Sequence, residues 1–175
     1  LEFRRVLFRS NLSYKIEGET VLRNISFTVE KGNKIAFVGR NTLSRTTLLQ
    51  ILAGEIKPDT GSIKWGESIS KSYFPKDNSE FFDSKINLIE WLSQYTDSTD
   101  TQFIRGFLGR MLFSDDDALK DVQVLSGGEK ARAMFSKMML AESNVNIFDE
   151  PTDHLDLESI TALNEGLQNF SECLL

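Results

Sequence analysis

The sequence predicts an α/β fold interrupted by a helical insertion. Two short apolar runs, KIAFV (Lys34–Val38) and VNIF (Val145–Phe148), have the length and continuity of strands buried in a parallel sheet. The first leads through a loop into the apolar stretch TTLLQILAG, a helix closed by Gly54. Between the two runs the periodicity turns helical: Phe103, Ile104, Phe107, Leu108, Met111 and Leu112 repeat at i, i+4.

The remaining elements follow in order. ETVLRNISFTV (Glu19–Val29) reads as strand, with Lys31-Gly32 as its turn. KPDTGSIKW is a turn feeding a strand, and SYFPKDNSEFF is a strand that leaves through Pro75 into a polar loop. QFIRGFLGRMLF reads as a helix in which Gly106 and Gly109 each cost about 1 kcal/mol relative to Ala. SDDDALKDV (Ser114–Val122) is an acidic connection. A helix then carries Ala131, Met134, Phe135, Met138 and Met139 on one face, and the last helix carries Leu155, Ile160, Leu163, Leu167 and Phe170.

The bulk numbers narrow the function classes. The chain has 175 residues, about one domain, with 40% hydrophobic and 26% charged residues. Its net charge of −6 provides no basic field of the kind that nucleic-acid binding uses. No apolar run approaches the roughly 18 residues of a membrane span. One cysteine excludes an internal disulfide and fits a reducing compartment, hence a cytoplasmic expectation. One histidine, His154, excludes a multi-histidine metal site. The basic start LEFRRVLFRS lacks strand or helix periodicity, and DNA that encodes it resembles a short-read sequencing adapter. Leu1–Ser10 are therefore read as an artefact. They carry three Arg and one Glu, so residues 11–175 alone stand at −8.

Three stretches carry chemistry. FVGRNTLSRTTLLQ sits where a phosphate-binding loop, G-x-x-x-x-G-K-[ST], belongs between strand and helix. Gly39 supplies the first glycine and Thr46 the hydroxyl for Mg²⁺; Ser44 stands in place of the second glycine and Arg45 in place of the lysine. LSGGEK (Leu125–Lys130) has a capping box in Ser126 and Glu129. Its adjacent Gly127 and Gly128 go beyond capping and permit close backbone approach to a ligand. VNIFDEPTDHLD ends an apolar strand in two acids, at the carboxyl edge of a parallel sheet where ligands bind. There Asp149 suits Mg²⁺ and Glu150 suits orienting or deprotonating an attacking water.

The order and spacing of these stretches resemble the ATP-binding-cassette (ABC) ATPases over Asn11 to Leu175. EPT-x-HLD looks most like the soluble, duplicated ABC-F proteins, which act on the ribosome, and the loop resembles that of their second cassette in a subgroup where this loop is irregular. The resemblance implies a P-loop ABC cassette with an antiparallel β subdomain, a mostly parallel core sheet and a helical subdomain at about 84–140. It implies ATP and Mg²⁺ as cofactors and ATP hydrolysis as the activity. It places Gly39, Arg40, Asn41, Thr42, Leu43, Ser44, Arg45, Thr46 and Thr47 in the phosphate loop, and Tyr14 or Ile16 at the adenine. Lys76 falls at the Q-loop glutamine. Ser126, Gly127, Gly128 and Glu129 form the signature, Asp149 and Thr46 hold the metal, Glu150 is the catalytic glutamate and Asp156 is the D-loop acid.

Departures from the pattern bear on activity. Thr42, Ser44 and Arg45 replace two glycines and the lysine, and Lys76 brings a positive charge towards the metal. The family's switch histidine is expected just beyond Leu175. Implied partners are a second cassette, in the same polypeptide or a dimer, and the ribosome. Two alternatives stand beside this reading: the ATP-binding subunit of a membrane transporter, and a catalytically impaired cassette that lends its signature to a partner.

Overall fold

A computed structural model describes residues 5–98, 100–153, 155–169 and 171–175. His154 and Phe170 lie outside them. The fold divides into two compact units. The first holds the described residues of Leu1–Tyr73, Ser143–Asp149 and Gly166–Leu175, the second those of Phe74–Glu142 and Glu150–Glu165.

The first unit is built on a long strand, β1 (Arg5–Ile16). It pairs antiparallel with β2 (Glu19–Ile25), β3 (Thr28–Glu30) and β4 (Thr60–Trp65). The tight β1–β2 connection puts Glu17 and Gly18 at positive φ. The expected single strand Glu19–Val29 is two strands, parted at Ser26 and Phe27 just after Asn24, which takes the left-handed region (φ 49°) within β2. Arg5–Ser10, set apart by their sequence, form the first half of β1 and pair with β3 and β4.

Helix α1 (Thr42–Ala53) packs between this antiparallel sheet and the strands that carry the acids. Gly54 closes it at φ 95°, a conformation that favours glycine. Lys71 Nζ donates to the carbonyls of Ala53 at 2.7 Å and Leu52 at 3.4 Å, placing a cation on the negative end of the helix. The second sheet runs β5 (Lys71–Phe74), β6 (Val145–Phe148), β7 (Cys173–Leu174), with β6 and β7 parallel. Leu12, Leu22, Val29, Leu48, Leu49, Ile51, Leu52, Val145 and Ile147 form one buried cluster between these layers. Each such side chain contributes about 1.5–3 kcal/mol.

The run Lys34–Val38 differs from expectation. Lys34 bridges Leu174 in parallel, and Ile35 N–H donates to the Leu174 carbonyl at 2.9 Å. Beyond Ile35 the run has left the edge of β7 and makes no ladder, so Val38 is 95% exposed.

The second unit is helical: α2 (Leu88–Ser93), α3 (Thr101–Arg110) and α4 (Gly127–Leu140). Trp91, Phe82, Leu88, Leu92, Ile104, Leu108 and Met134 are fully buried. Phe82 stacks on Trp91 at 4.9 Å, and Trp91 Nε1 donates to the Phe81 carbonyl at 2.6 Å. The acidic connection 114–122 contains a 3₁₀ turn at Asp117–Leu119, and a second 3₁₀ turn, Val122–Val124, spans its end. Three expected core positions are corrected. Phe103 is exposed on the first turn of α3, Leu112 lies past its end at φ 60°, exposed, and Met139 is exposed near the end of α4. Helix α5 (Leu157–Asn169) follows the acids.

Candidate functional site

The phosphate-loop stretch is less of a loop than its pattern demands. Helix α1 begins at Thr42, four residues before Thr46. The reason is local. Thr42 and Ser44 are side-chain-bearing residues where the pattern has glycines, so the backbone takes the right-handed helical region rather than glycine-rich loop geometry. Asn41 then caps the helix, its Oδ1 accepting the N–H of Ser44 at 3.2 Å. The non-helical part of the stretch is Gly39 to Asn41, and Thr42 to Thr47 are the first turns of α1.

The departing side chains are engaged. Ser44 Oγ donates to the Val21 carbonyl of β2 at 2.9 Å. Arg45 Nη2 donates to Thr42 Oγ1 at 3.2 Å, and Nη1 donates to the Gly39 carbonyl. Arg45 thus folds back across the loop. Arg40 and Leu43 are exposed; Thr47 is buried in the core.

Thr46 Oγ1 is buried and makes no hydrogen bond among the described residues. An orphaned hydroxyl of this kind is costly unless it meets a ligand or water. Helix α1 packs on β6, and β6 leads directly into Asp149, 1% exposed. A threonine hydroxyl and a carboxylate are hard oxygen donors, the set Mg²⁺ takes with phosphate oxygens completing its shell. The residues present therefore fit that metal. No cluster of three or more His, Cys, Asp or Glu suited to a metal occurs among the described residues.

Tyr73 escapes a sequence reading, because in SYF it looks like any core aromatic. It sits on β5, its hydroxyl buried and without a hydrogen bond among the described residues. Burial, and then the Asp149 and Glu55 carboxylates, push its pKa far above the ordinary 10.0. Tyr14 packs against the core of the first unit, half-buried; Ile16 lies near the tip of the β1–β2 hairpin, paired with Glu19.

The second unit holds the other expected residues. Glu150 stands at φ 50°, in the left-handed region that a residue with a Cβ rarely adopts. Its carbonyl accepts the N–H of Asp153 at 3.1 Å. Lys76, two residues past the end of β5, donates from Nζ to Glu150 Oε2 at 2.5 Å. The sequence set this lysine against a metal; the structure sets it against the adjacent acid.

At the start of α4 the capping box is complete. Ser126 Oγ accepts the N–H of Glu129 at 3.3 Å, and Glu129 Oε2 accepts the N–H of Ser126 at 2.8 Å. Lys120 adds an ion pair to Glu129 at 3.0 Å. Burial raises the Glu129 pKa, but the Ser126 N–H and Lys120 outweigh it and hold the carboxyl below its ordinary value. Gly127 is left exposed in the first turn and Gly128 half-buried. Asp156 Oδ1 accepts the N–H of Ser159 at 2.7 Å at the start of α5, which lowers its pKa.

A family described as ABC transporter matches residues 22–153, a stretch holding the loop, the capping box and both acids. The chain belongs to the ABC transporter family. It is a P-loop ABC ATPase domain of mixed α/β structure. It is 54% identical over 172 residues to the ABC transporter ATP-binding protein YkpA of Bacillus subtilis (strain 168), covering 97% of this chain and 32% of that protein. It is 33% identical to ABC transporter F family member 5 of Arabidopsis thaliana, covering 95% of this chain and 24% of that one. The chain thus spans about a third or less of these relatives. An ABC transporter ATP-binding protein from Pyrococcus furiosus shares the fold, with a TM-score of 0.75 at 22% identity over 96% of this chain and 88% of that one. Among the described residues no helix is long and apolar enough to cross a membrane.

Proposed function

We propose that this ABC cassette binds Mg²⁺-ATP and hydrolyses it as one of two facing cassettes in a cytoplasmic ABC-F-type protein that acts on the ribosome. The observation that carries the nucleotide part is Thr46 Oγ1, buried and unsatisfied among the described residues, on a helix packed on the strand that leads into Asp149. Mg²⁺ supplies electrophilic polarisation of the phosphate when bound. Thr46 and Asp149 hold it. Arg45 contributes positive charge to the phosphates. Glu150 orients the attacking water and takes its proton. Ser126, Gly127 and Gly128 serve the partner cassette's nucleotide, with the first-turn N–H groups of α4 directed at phosphate. The similarity to ABC transporter F family member 5 supports the ABC-F part, and the ribosome part rests on the resemblance of EPT-x-HLD to the ABC-F pattern.

The similarity to YkpA, an ABC transporter ATP-binding protein, supports a second reading, the ATP-binding subunit of a membrane transporter. The two differ in what the ATP-bound form holds. The protein carrying Glu150→Gln, loaded with Mg²⁺-ATP, should co-sediment with ribosomes and leave them without nucleotide. Ribosome-independent retention on membranes, with no ribosome peak, would overturn the ABC-F reading in favour of the transporter one. Absence of nucleotide binding would overturn both.

A further inference from the structure

The residues that depart from the phosphate-loop pattern touch one another. Thr42 and Arg45 are three apart on the first turn of α1, and that spacing puts both on one helical face. The Thr42 hydroxyl accepts from one arm of the guanidinium at 3.2 Å, and the Gly39 carbonyl accepts from the other arm. Ser44 anchors the same turn to β2 through the Val21 carbonyl, and Asn41 caps it.

We propose that Thr42 is a positioning residue for nucleotide phosphate: with the Gly39 carbonyl it seats the Arg45 fork, so the substitutions at 42 and 45 work as a pair. This rests on the reading of the chain as a Mg²⁺-ATP cassette and deepens it. A guanidinium presents five N–H donors in fixed directions. Held by these braces, the planar fork suits the bidentate recognition of phosphate that arginine offers. An ammonium on a flexible stem has no such fork. Glycine at 42, as in the usual pattern, offers no side-chain acceptor, so an arginine at 45 would lose its second brace. Arginine also carries high rotamer entropy, and seating it before the ligand arrives removes part of that cost from binding. The pair is thus a matched replacement for the glycine–lysine arrangement, with the hydroxyl and the guanidinium each useful through the other.

The test is calorimetric Mg²⁺-ATP binding by the intact chain and by Thr42→Val, Thr42→Ser, Arg45→Lys and the Val/Lys double variant, each with its melting temperature. Thr42→Val keeps the shape and removes the acceptor. It should weaken binding roughly five- to tenfold, the net scale of one ordinary hydrogen bond. Thr42→Ser should restore parental affinity, which a purely steric role for Thr42 would not require. Arg45→Lys should weaken binding, and the double variant should bind no worse than Arg45→Lys alone, because Thr42 acts through Arg45. Thr42→Ala, a better helix former, guards against a folding defect in the valine variant. Parental affinity in both Thr42→Val and Thr42→Ala, or multiplicative losses in the double variant, would overturn the proposal while leaving the cassette reading intact. A parent chain that binds no Mg²⁺-ATP would overturn both.

Discussion

Lys76 and Glu150, 74 residues apart in sequence, meet through one charge-assisted hydrogen bond, Nζ to Oε2 at 2.5 Å. The lysine side chain is 41% exposed and the glutamate 24%, so the pair contributes at most about 1 kcal/mol to stability. Its consequence is chemical. An ammonium against a carboxylate oxygen favours the unprotonated form and makes that oxygen a weaker proton acceptor. On the proposed role of Glu150, Lys76→Gln relieves the base. We expect kcat for phosphate release to rise roughly three- to tenfold with KM little changed, and the melting temperature to move by no more than a few degrees. A fall in kcat would show instead that the pair is needed to aim the carboxylate.

Glu150 itself gives the complementary prediction. Glu150→Gln keeps the shape of the side chain and removes its basicity. Steady-state phosphate release should drop by about 10²- to 10⁴-fold, the usual scale of general-base catalysis, while Mg²⁺-ATP binding persists. Parallel loss of binding would place the residue in the fold rather than in the chemistry.

Ser44 is an anchor as well as a departure from the glycine pattern. Replacing it with glycine deletes the bond to the Val21 carbonyl and puts a flexible residue in the first turn of α1. The bond contributes about 1 kcal/mol and the helical glycine costs about another 1 kcal/mol. Urea unfolding of Ser44→Gly should therefore show a loss of about 1–2 kcal/mol. A neutral or stabilised variant would mean that the helical start at Thr42 is not held from β2.

Much of this was legible in the residues, for identifiable reasons. Strand β6 was readable because Val145 and Ile147 are buried on a four-residue run. The end of α1 was readable because a left-handed closure favours glycine, and Gly54 is there. The capping box at Ser126 and Glu129 was readable because both partners lie within one turn. What stayed hidden depends on long-range geometry. Nothing local to PKDN or DEPT announces the Lys76–Glu150 pair, and nothing in VLRN announces the Ser44 anchor. The helical start at Thr42 was obscured by the motif itself: the template says loop where Thr42 and Ser44 accept helix more readily than the glycines they replace. Arg5–Ser10 carried no period-2 signal, yet β1 takes them in by pairing on both sides with β3 and β4.

The acidic connection before α4 predicts how the helical unit responds to pH. Asp117 accepts from Lys120 and from the hydroxyl and N–H of Ser114, and these contacts hold its carboxyl well below the ordinary 3.8. Glu129 is held below 4.5, as burial is outweighed by Ser126 and Lys120. Depressed carboxylates stabilise the fold above their unfolded values and release that stability as pH falls through the folded ones. Stability should therefore hold from neutral pH down to about 4.5 and then decline as these groups take up protons. Lys120 has the opposite sign: its pKa is raised above 10.5 by Asp117 and Glu129, so its contribution is full below that value and fades as pH climbs through the raised one. Urea midpoints measured from pH 2.5 to 7 should follow this acid limb, and Asp117→Asn should flatten it by removing one depressed group and one partner of Lys120. An acid limb unchanged in Asp117→Asn would mean that the Ser114–Asp117–Lys120 contacts do not persist in solution.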